Sequence, residues 1–132
     1  HNDISGASVS LSNEGNIVAI GAPWNDGNGR ESGHVRVFNF NGNSWEKLGN
    51  DIDGESNKDI SGWSISLSGD GSIVAIGAHL NDGNGIDSGH VRVYQNDGVT
   101  WTQLGDDIDG EAAEDGSGRS VSLSGDGSIV AI

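Results

Sequence analysis

Apolar and polar residues follow one another in four short segments of distinct pattern near the start of the chain. Residues 7–12, ASVSLS, alternate strictly, with aliphatic side chains on one face and serines on the other. Residues 16–22, NIVAIGA, form an almost continuous apolar run, and residues 34–40, HVRVFNF, alternate again. Residues 44–49, SWEKLG, carry a tryptophan and a leucine as apolar anchors. Alternation is typical of half-buried strands and a continuous run of a strand buried on both faces, so four β-strands are predicted.

The third segment predicts which of its side chains face the interior. Val35 and Val37 are expected to point inward, and His34 and Arg36 outward, because successive residues of a strand face opposite sides. We expect the histidine to have a structural role at the start of this strand. We expect the arginine to pair with a carboxylate of the acidic linker at 50–55.

Turn-forming residues separate the four segments. NEG at 13–15 and NGN at 41–43 are typical of tight hairpin turns, and NDGNGRESG at 25–33 of a longer loop. Residues 50–55, NDIDGE, are predicted to link this group of strands to the next. The 23 glycines and the scarcity of helix formers favour the same all-β class.

The whole pattern repeats with a period of 56 residues. Gly6, Gly62 and Gly118 are equivalent, and residues 1–56 and 57–112 share about 35 identities without a gap. A period of this size is typical of propeller blades or stacked repeats. The predicted domains are repeat unit 1 (1–56), repeat unit 2 (57–112) and a partial repeat unit 3 (113–132).

The predicted fold class is all-β, with antiparallel four-stranded blades of about 56 residues forming part of a β-propeller. A single such sheet is marginally stable and must stack on neighbours, and radial stacking of about four to eight sheets gives a propeller. The 132 residues hold about 2.4 units of 56, which are too few to close a ring. We therefore expect a segment of a longer repeat protein or of a larger assembly; an oligomer that completes the ring and an open stack are the alternatives.

The charge of the chain limits its partners. The formal net charge is −14, and the six Lys and Arg do not form the basic clusters that phosphate groups need, so no nucleic-acid partner is expected. An acidic surface suits divalent cations or basic partners, or simply keeps the protein soluble. There is no cysteine, and no apolar run approaches the roughly 18 residues of a membrane-spanning helix.

Several short motifs in order resemble the FG-GAP repeat of the integrin α-subunit β-propeller. That pattern has a Phe-Gly before an SV strand, a Gly-Ala-Pro after an apolar strand, and a Gly before a V-x-V-F/Y strand. The matching residues are Gly6, Val9, Gly21, Ala22, Pro23, Gly33, Val35, Val37 and Phe38, with Gly62, Ile65, Gly77, Ala78, Gly89, Val91, Val93 and Tyr94 in unit 2. The resemblance implies a β-propeller, an extracellular or cell-surface setting and a role in adhesion.

The sequence departs from the family pattern in two ways. The Phe of the family is replaced by serine at 5, 61 and 117, and the second Pro by His79. The family also often has a calcium loop of the type D-x-D-x-D-G between its first two strands. Here that position holds only SNEGN or SGDGS, too short to supply about six to eight oxygen ligands. The calcium site of the family therefore does not transfer to this hairpin.

Carboxylates elsewhere are candidate ligands for a cation, with Ca²⁺ as the possible cofactor. Alternating Asp side chains in the DIDGE linkers can point two carboxylates at one hard cation. These candidates are Asp51, Asp53, Glu55, Asp107, Asp109 and Glu111. An alternative metal loop is NDGNG, with Asp26, Asn28, Asp82 and Asn84. The competing interpretation is that Asp and Asn bond to nearby backbone N–H groups and cap turns.

Catalysis is not expected. GASVS at 6–10 lacks the last Gly of the nucleophile elbow G-x-S-x-G, lies on a predicted strand, and has counterparts in all three units, whereas a hydrolase needs one nucleophile. GNGRES at 27–32 lacks the last Gly of a dinucleotide-binding loop. No catalytic residue is therefore assigned.

Positions that differ between units are the candidates for partner binding. Trp24, Arg30 and Trp63 are such positions, and tryptophan and arginine are enriched in binding hot spots. Packing between blades is the alternative role of the two tryptophans. The predicted function is a non-enzymatic repeat scaffold for protein–protein or cell-surface adhesion. A carbohydrate-binding propeller and an accessory subunit of a larger assembly are the alternatives, with a protein, a glycan or further copies of the repeat as partner.

Overall fold

The computed structural model describes residues 3–132, so the first two residues of predicted unit 1 lie outside the described residues. These 130 residues contain twelve β-strands in three antiparallel sheets and no helix. The strands are β1 (Ser8–Leu11), β2 (Ile17–Ala22), β3 (His34–Phe40), β4 (Trp45–Lys47), β5 (Ile52–Asp53), β6 (Ser64–Leu67), β7 (Ile73–Ala78), β8 (His90–Asn96), β9 (Trp101–Gln103), β10 (Ile108–Asp109), β11 (Ser122–Leu123) and β12 (Val130–Ala131).

Each of the first two sheets is one blade of the same topology. In blade 1 the order is β1-β2-β3-β4, with β5 also paired to β3, and in blade 2 β6 to β10 repeat this arrangement. The third sheet consists of β11 paired with β12. The three sheets lie within residues 1–56, 57–112 and 113–132, and the four predicted strands of unit 1 are all present.

The linker after each blade forms a short strand that the sequence pattern did not predict. Ile52 pairs with Val35 and Asp53 with His34, so the linker continues the edge of the sheet beyond β4. Ile52 is buried, which anchors this segment. Two residues are too few to show alternation, and this strand exists only because β3 extends beyond its pairing with β4.

The hydrophobic core lies between the blades. The side chains of one blade meet those of the next face to face, as in packed β-sheets. Blade 1 contributes Ile17, Ala19, Val35, Val37, Leu48 and Ile52, and blade 2 contributes Ile65, Leu67, Val74, Ile76, Tyr94 and Trp101. The indole Nε1 of Trp101 also donates a hydrogen bond of 2.8 Å to the carbonyl of Leu48. Neither blade therefore has a complete core of its own.

The serines of the alternating segments connect neighbouring blades. Ser8 Oγ donates to the carbonyl of Gly62, and Ser64 Oγ to that of Gly118, each at 2.7 Å. Ser10 Oγ accepts a hydrogen bond of 2.9 Å from the backbone N–H of Leu67. The polar face of the first strand is thus an interface between blades.

The third-strand histidine was predicted to point outward. This prediction is wrong with respect to exposure, because the side chain is buried. His34 and His90 are 4% and 1% exposed. Each lies on the opposite side of its strand from the core valines, as alternation requires, but the linker strand pairs with the same end of β3 or β8 and helps to cover the ring. Arg92 is buried as well, whereas its counterpart Arg36 is exposed.

One face of blade 1 is exposed although the corresponding face of blade 2 is buried. Leu11 is 59% exposed and Leu67 7%, and Trp45 is 48% exposed and Trp101 5%. We call the exposed surface the open face of blade 1. It consists of Val9, Leu11, Val18, Ile20, Phe38 and Trp45, and the last four line a shallow apolar groove.

The close approach of the blades gives a prediction for Gly77. This residue lies in β7, and a Cβ added to it would overlap the carbonyl oxygen of Gly118 and Ser64 Oγ. Since blade 2 must move away from the third sheet, we expect Gly77→Ala to lower the free energy of unfolding by about 2 kcal/mol or more in urea denaturation. Gly125→Ala is the control, because that site has open space; we expect it to change the stability by less than about 1 kcal/mol. Equal stability of the two variants would contradict this account of the interface.

Candidate functional site

The carboxylates of the first DIDGE linker lie beside the buried histidine of blade 1. Strand β5 places Asp53 opposite His34, with 4.0 Å between Oδ1 and Nδ1. Ligand atoms of His34, Asp51 and Asp53 lie within 4.8 Å of one another. The two aspartates that the sequence proposed as joint cation ligands are therefore neighbours, and a histidine joins them.

Basic side chains already neutralise Asp51. Arg36 Nε donates to both carboxylate oxygens at 3.1 Å and Nη2 to Oδ2 at 2.9 Å, and Lys47 forms a second ion pair. These contacts confirm that the arginine pairs with a linker carboxylate. The hydrogen bonds from Arg36, followed by those from Lys47, lower the pKa of Asp51 to about 2. Two cations beside one carboxylate disfavour an additional metal ion at this position.

A second cluster forms where the first linker meets blade 2. Ligand atoms of Glu55, His90 and Asp107 lie within 4.8 Å of one another. His90 Nδ1 is 3.5 Å from Asp107 Oδ2 and 4.0 Å from Asp109 Oδ1. Burial, with a contribution from the nearby Arg92 guanidinium, lowers the pKa of His90, so its imidazole is neutral at pH 7. The cluster combines one neutral imidazole with carboxylates from two different linkers.

The arginine of blade 2 has different partners from the arginine of blade 1. Arg92 Nη2 donates to the carbonyl of Asp53 at 2.9 Å, and Nη1 lies 3.3 Å from Glu55 Oε1. Both partners belong to the linker that leaves blade 1. Asp107 instead accepts a hydrogen bond of 2.6 Å from Gln103, which occupies the position of Lys47. The same sequence motif therefore has a different charge environment in each blade.

The remaining metal candidates stabilise loops. Asp26 accepts a hydrogen bond from the N–H of Glu31 at 2.7 Å, and Asp82 accepts one from Asp87 at 2.8 Å. Asn28 and Asn84 each donate to the carbonyls of a linker, at Gly54 and Glu55 or at Gly110 and Glu111. Glu111 lies outside both mixed clusters found among residues 3–132. Calcium binding at the linkers or at these loops stays a prediction.

Sequence analysis missed the histidines as members of the clusters. Each histidine opens a strand, and two aspartates follow about 17 to 19 residues later in the linker, but nothing in the pattern showed that this linker would pair with the same strand. The pairing of the two-residue linker strand with the start of the HVRV strand is what brings each histidine next to the aspartates. The buried Asp59, which accepts hydrogen bonds from Asn81 and from the N–H of Ser56, was also missed, because Asn81 lies 22 residues away in the chain.

The tryptophans at non-repeating positions lie together. The rings of Trp24 and Trp63 are 5.7 Å apart at 69°, and those of Trp63 and His79 are 4.7 Å apart at 63°. Trp24 comes from blade 1 and the other two from blade 2, so this group, the aromatic cluster, spans two blades. Trp63 is 39% exposed. Arg30 lies in the β2–β3 loop with an exposed side chain, 3.6 Å from Glu31.

A family comparison agrees with this architecture. The model of the FG-GAP repeat matches residues 1–38 and 51–94, more than half of the chain, and the chain belongs to this family. FG-GAP repeats fold as β-propeller blades, so the open, stacked sheets are a segment of a β-propeller. Repeats of this family are typical of extracellular proteins. Comparison with curated proteins gives no match. The described residues include no helix with the length and apolar character needed to cross a membrane.

The ion pair of Asp51 predicts a pH dependence of stability. The pKa of Asp51 falls from its ordinary value of 3.8 to about 2 on folding, so the stabilisation is complete above about pH 4 and is lost as the pH falls towards 2. We expect Asp51→Asn to cost about 1 kcal/mol at pH 7, since Arg36 and Lys47 are partly solvated and water screens the pair.

The measurement is urea denaturation of both proteins from pH 7 to pH 2. The difference between them isolates Asp51, because Asp126 also has a pKa lowered to about 2 by hydrogen bonds from Ser124 and Ser128. We expect the difference to disappear near pH 2. A constant difference in the free energy of unfolding across this pH range would show that the ion pair does not cause that difference.

Proposed function

We propose that the chain is a non-enzymatic recognition scaffold that works in extracellular or cell-surface adhesion. The observation that carries this proposal is the aromatic cluster of Trp24, Trp63 and His79. Its members occupy positions at which the repeats differ, and Trp24 and Trp63 are partly exposed whereas His79 is buried. Repeated residues build the blades, so the two non-repeated and partly exposed tryptophans are the best candidates for contact with a partner.

The shape of the aromatic cluster suits protein recognition. Edge-to-face contacts hold the Trp63 ring between Trp24 and His79, so its side chain is already ordered before a partner binds. A preorganised aromatic ring loses little conformational entropy on binding, which favours affinity. Tryptophan is also enriched in hot spots, where the partner desolvates it completely.

The charge of the chain favours a basic partner. The net charge of −14 makes the chain as a whole acidic, although Arg119 acts on His79 within the cluster. Complementary charge speeds association and selects among partners more than it adds affinity. We therefore expect a basic protein surface with an apolar centre as the ligand of this site.

The proposal is tested with Trp24→Ala and Trp63→Ala. Purified protein is immobilised and assayed for cell adhesion and for binding to a panel of extracellular-matrix proteins. We expect each substitution to weaken the interaction about tenfold or more, as is usual when a hot-spot tryptophan is truncated. Trp45→Ala is the matched control, because Trp45 is equally exposed but lies on the open face of blade 1. Equal binding by all three variants and the wild type would contradict the proposed site.

A glycan ligand is the second candidate for the same site. An exposed tryptophan ring offers a flat apolar face, and hydrogen-bonding side chains such as Asn25 lie next to Trp24 in the chain. A glycan array distinguishes the two. Array binding that is lost on Trp63→Ala and retained on Trp45→Ala would identify a carbohydrate-binding propeller in place of protein recognition.

The open face of blade 1 supports a role in a larger assembly. Its residues correspond to those with which blade 2 packs on blade 1, and four of them line an apolar groove. The same side chains that form the core between blades are therefore exposed here. We propose that this face packs against a further blade, and that a second copy of the chain supplies it through the exposed side of its third sheet, where Ile129 is 67% exposed.

Sedimentation velocity over a range of concentrations tests this contact. We expect reversible association of the wild type, and its loss in Leu11→Glu, because a charge would be buried at the centre of the contact. Val99→Glu is the control, since Val99 is 75% exposed but lies in the turn between β8 and β9. A wild-type protein that stays monomeric at all concentrations would show that copies of this chain do not occupy the open face.

A further inference from the structure

The imidazole of His90 has a buried nitrogen that no described group satisfies. His90 is 1% exposed, and its Nδ1 has no hydrogen-bond partner among residues 3–132. Asp107 Oδ2 lies at 3.5 Å, in a geometry that is not a hydrogen bond. A buried nitrogen without a partner is costly, so this atom calls for a ligand.

The atoms around His90 Nδ1 have the spacing of a metal site. Two ligands about 2.1 Å from a tetrahedral Zn²⁺ lie about 3.4 Å from each other. The separation of His90 Nδ1 and Asp107 Oδ2 is 3.5 Å, and a carboxylate oxygen of Glu55 completes a group of three within 4.8 Å. Three protein ligands leave one position of a tetrahedral Zn²⁺ to a water molecule.

Neighbouring side chains hold the two carboxylates in place. Gln103 donates to Asp107 Oδ1, which leaves Oδ2 as the oxygen that faces His90. Arg92 lies 3.3 Å from Glu55 Oε1 and orients that carboxylate from one side. Such supporting contacts are typical of ligands that are positioned before the metal binds.

The charge balance also favours a cation. Glu55, Asp107 and Asp109 lie around His90, Asp59 also acts on it electrostatically, and Arg92 is the cation in contact with Glu55. With a neutral imidazole, these groups have a formal charge of −3, so a divalent ion reduces the excess of negative charge. The imidazole distinguishes the site from a calcium site, since Ca²⁺ takes oxygen ligands whereas imidazole suits first-row transition metals.

We propose that His90 Nδ1, Asp107 and Glu55 bind one first-row divalent cation, with Zn²⁺ as the representative ion, at the junction of the first two blades. Glu55 belongs to the linker that leaves blade 1, and His90 and Asp107 belong to unit 2. The ion therefore connects two repeat units and strengthens their contact. This inference is independent of the proposed recognition function.

The equivalent cluster of unit 1 provides an internal comparison. His34, Asp51 and Asp53 have similar positions, but Arg36 and Lys47 bind Asp51 directly. In unit 2 Arg92 contacts one proposed ligand, Glu55, at 3.3 Å, but Gln103 replaces the lysine, and no Lys or Arg among residues 3–132 forms an ion pair with Asp107. Zinc is therefore expected at the second cluster and not at the first.

The experiment uses the full chain after removal of metals by chelation. Zn²⁺ and Ca²⁺ are titrated separately by isothermal calorimetry, the melting temperature is measured with each ion, and Co²⁺ is added to record the visible absorption of tetrahedral coordination. The variants are Asp107→Asn and Glu55→Gln, whose side chains are 27% and 44% exposed and therefore tolerate an isosteric change. Asp51→Asn is the matched control at the equivalent position of unit 1.

We expect one Zn²⁺ per chain, a higher melting temperature with Zn²⁺ than with Ca²⁺, and a Co²⁺ spectrum of tetrahedral type. Each ligand variant is expected to lose at least about tenfold in Zn²⁺ affinity, the lower range for changes even to supporting residues, whereas Asp51→Asn keeps wild-type affinity. Near-ultraviolet circular dichroism verifies that each variant is folded; if Asp107→Asn is not, Glu55→Gln decides alone.

Three results would overturn the proposal. The first is the absence of Zn²⁺ binding to the wild type. The second is an equal loss of affinity in Asp51→Asn and in the ligand variants, which would indicate diffuse binding to an acidic surface. The third is a melting temperature raised equally by Ca²⁺ and Zn²⁺, which would show that the imidazole contributes nothing to the choice of ion.

Discussion

The packing of one blade on the next is the interaction on which the rest of this structure depends. A sheet of short strands has two faces, and here the apolar side chains of blade 1 are buried only because blade 2 covers them. The contact is close enough that Gly21 faces the backbone of Gly62, and Gly77 that of Gly118. Serine hydroxyls satisfy the facing carbonyl groups at these points. Glycines of β2 and β7 and serine hydroxyls of β1 and β6 therefore set the distance at which the larger side chains pack.

The same packing determines the electrostatics of the linkers. Both linkers read DIDGE and both third strands begin HVRV, yet their arginines have different partners. Arg92 is covered by the linker of blade 1 and binds Glu55 and a carbonyl group, whereas Arg36 is exposed and binds the aspartate of its own linker. The position of a unit in the stack, together with the replacement of Lys47 by Gln103, thus decides which carboxylates remain available around a buried histidine.

Much of each blade was predictable because it depends on local pattern. The prediction of a strand at 16–22 compares with an observed Ile17–Ala22, and the prediction at 34–40 is matched by His34–Phe40. The acidic residues of the candidate sites were also found, but not their grouping. Glu55 joins Asp107, which is 52 residues away in the chain, and His90 joins both. Alternation predicts the side of a strand on which a residue lies, but burial of that side depends on what covers it.

The sequence by itself determined the repeat, the antiparallel strands and the fold class, since these follow from a 56-residue period, from alternation and from turn-forming residues. It also identified the positions at which the repeats differ. Only the tertiary structure decided that Trp24 and Trp63 touch, that the serine faces are interfaces, and that the two identical linkers differ in charge environment. The physical reason is that these features arise between blades, where residues about 40 to 57 positions apart meet. A local sequence pattern does not reveal contacts between residues so far apart in the chain.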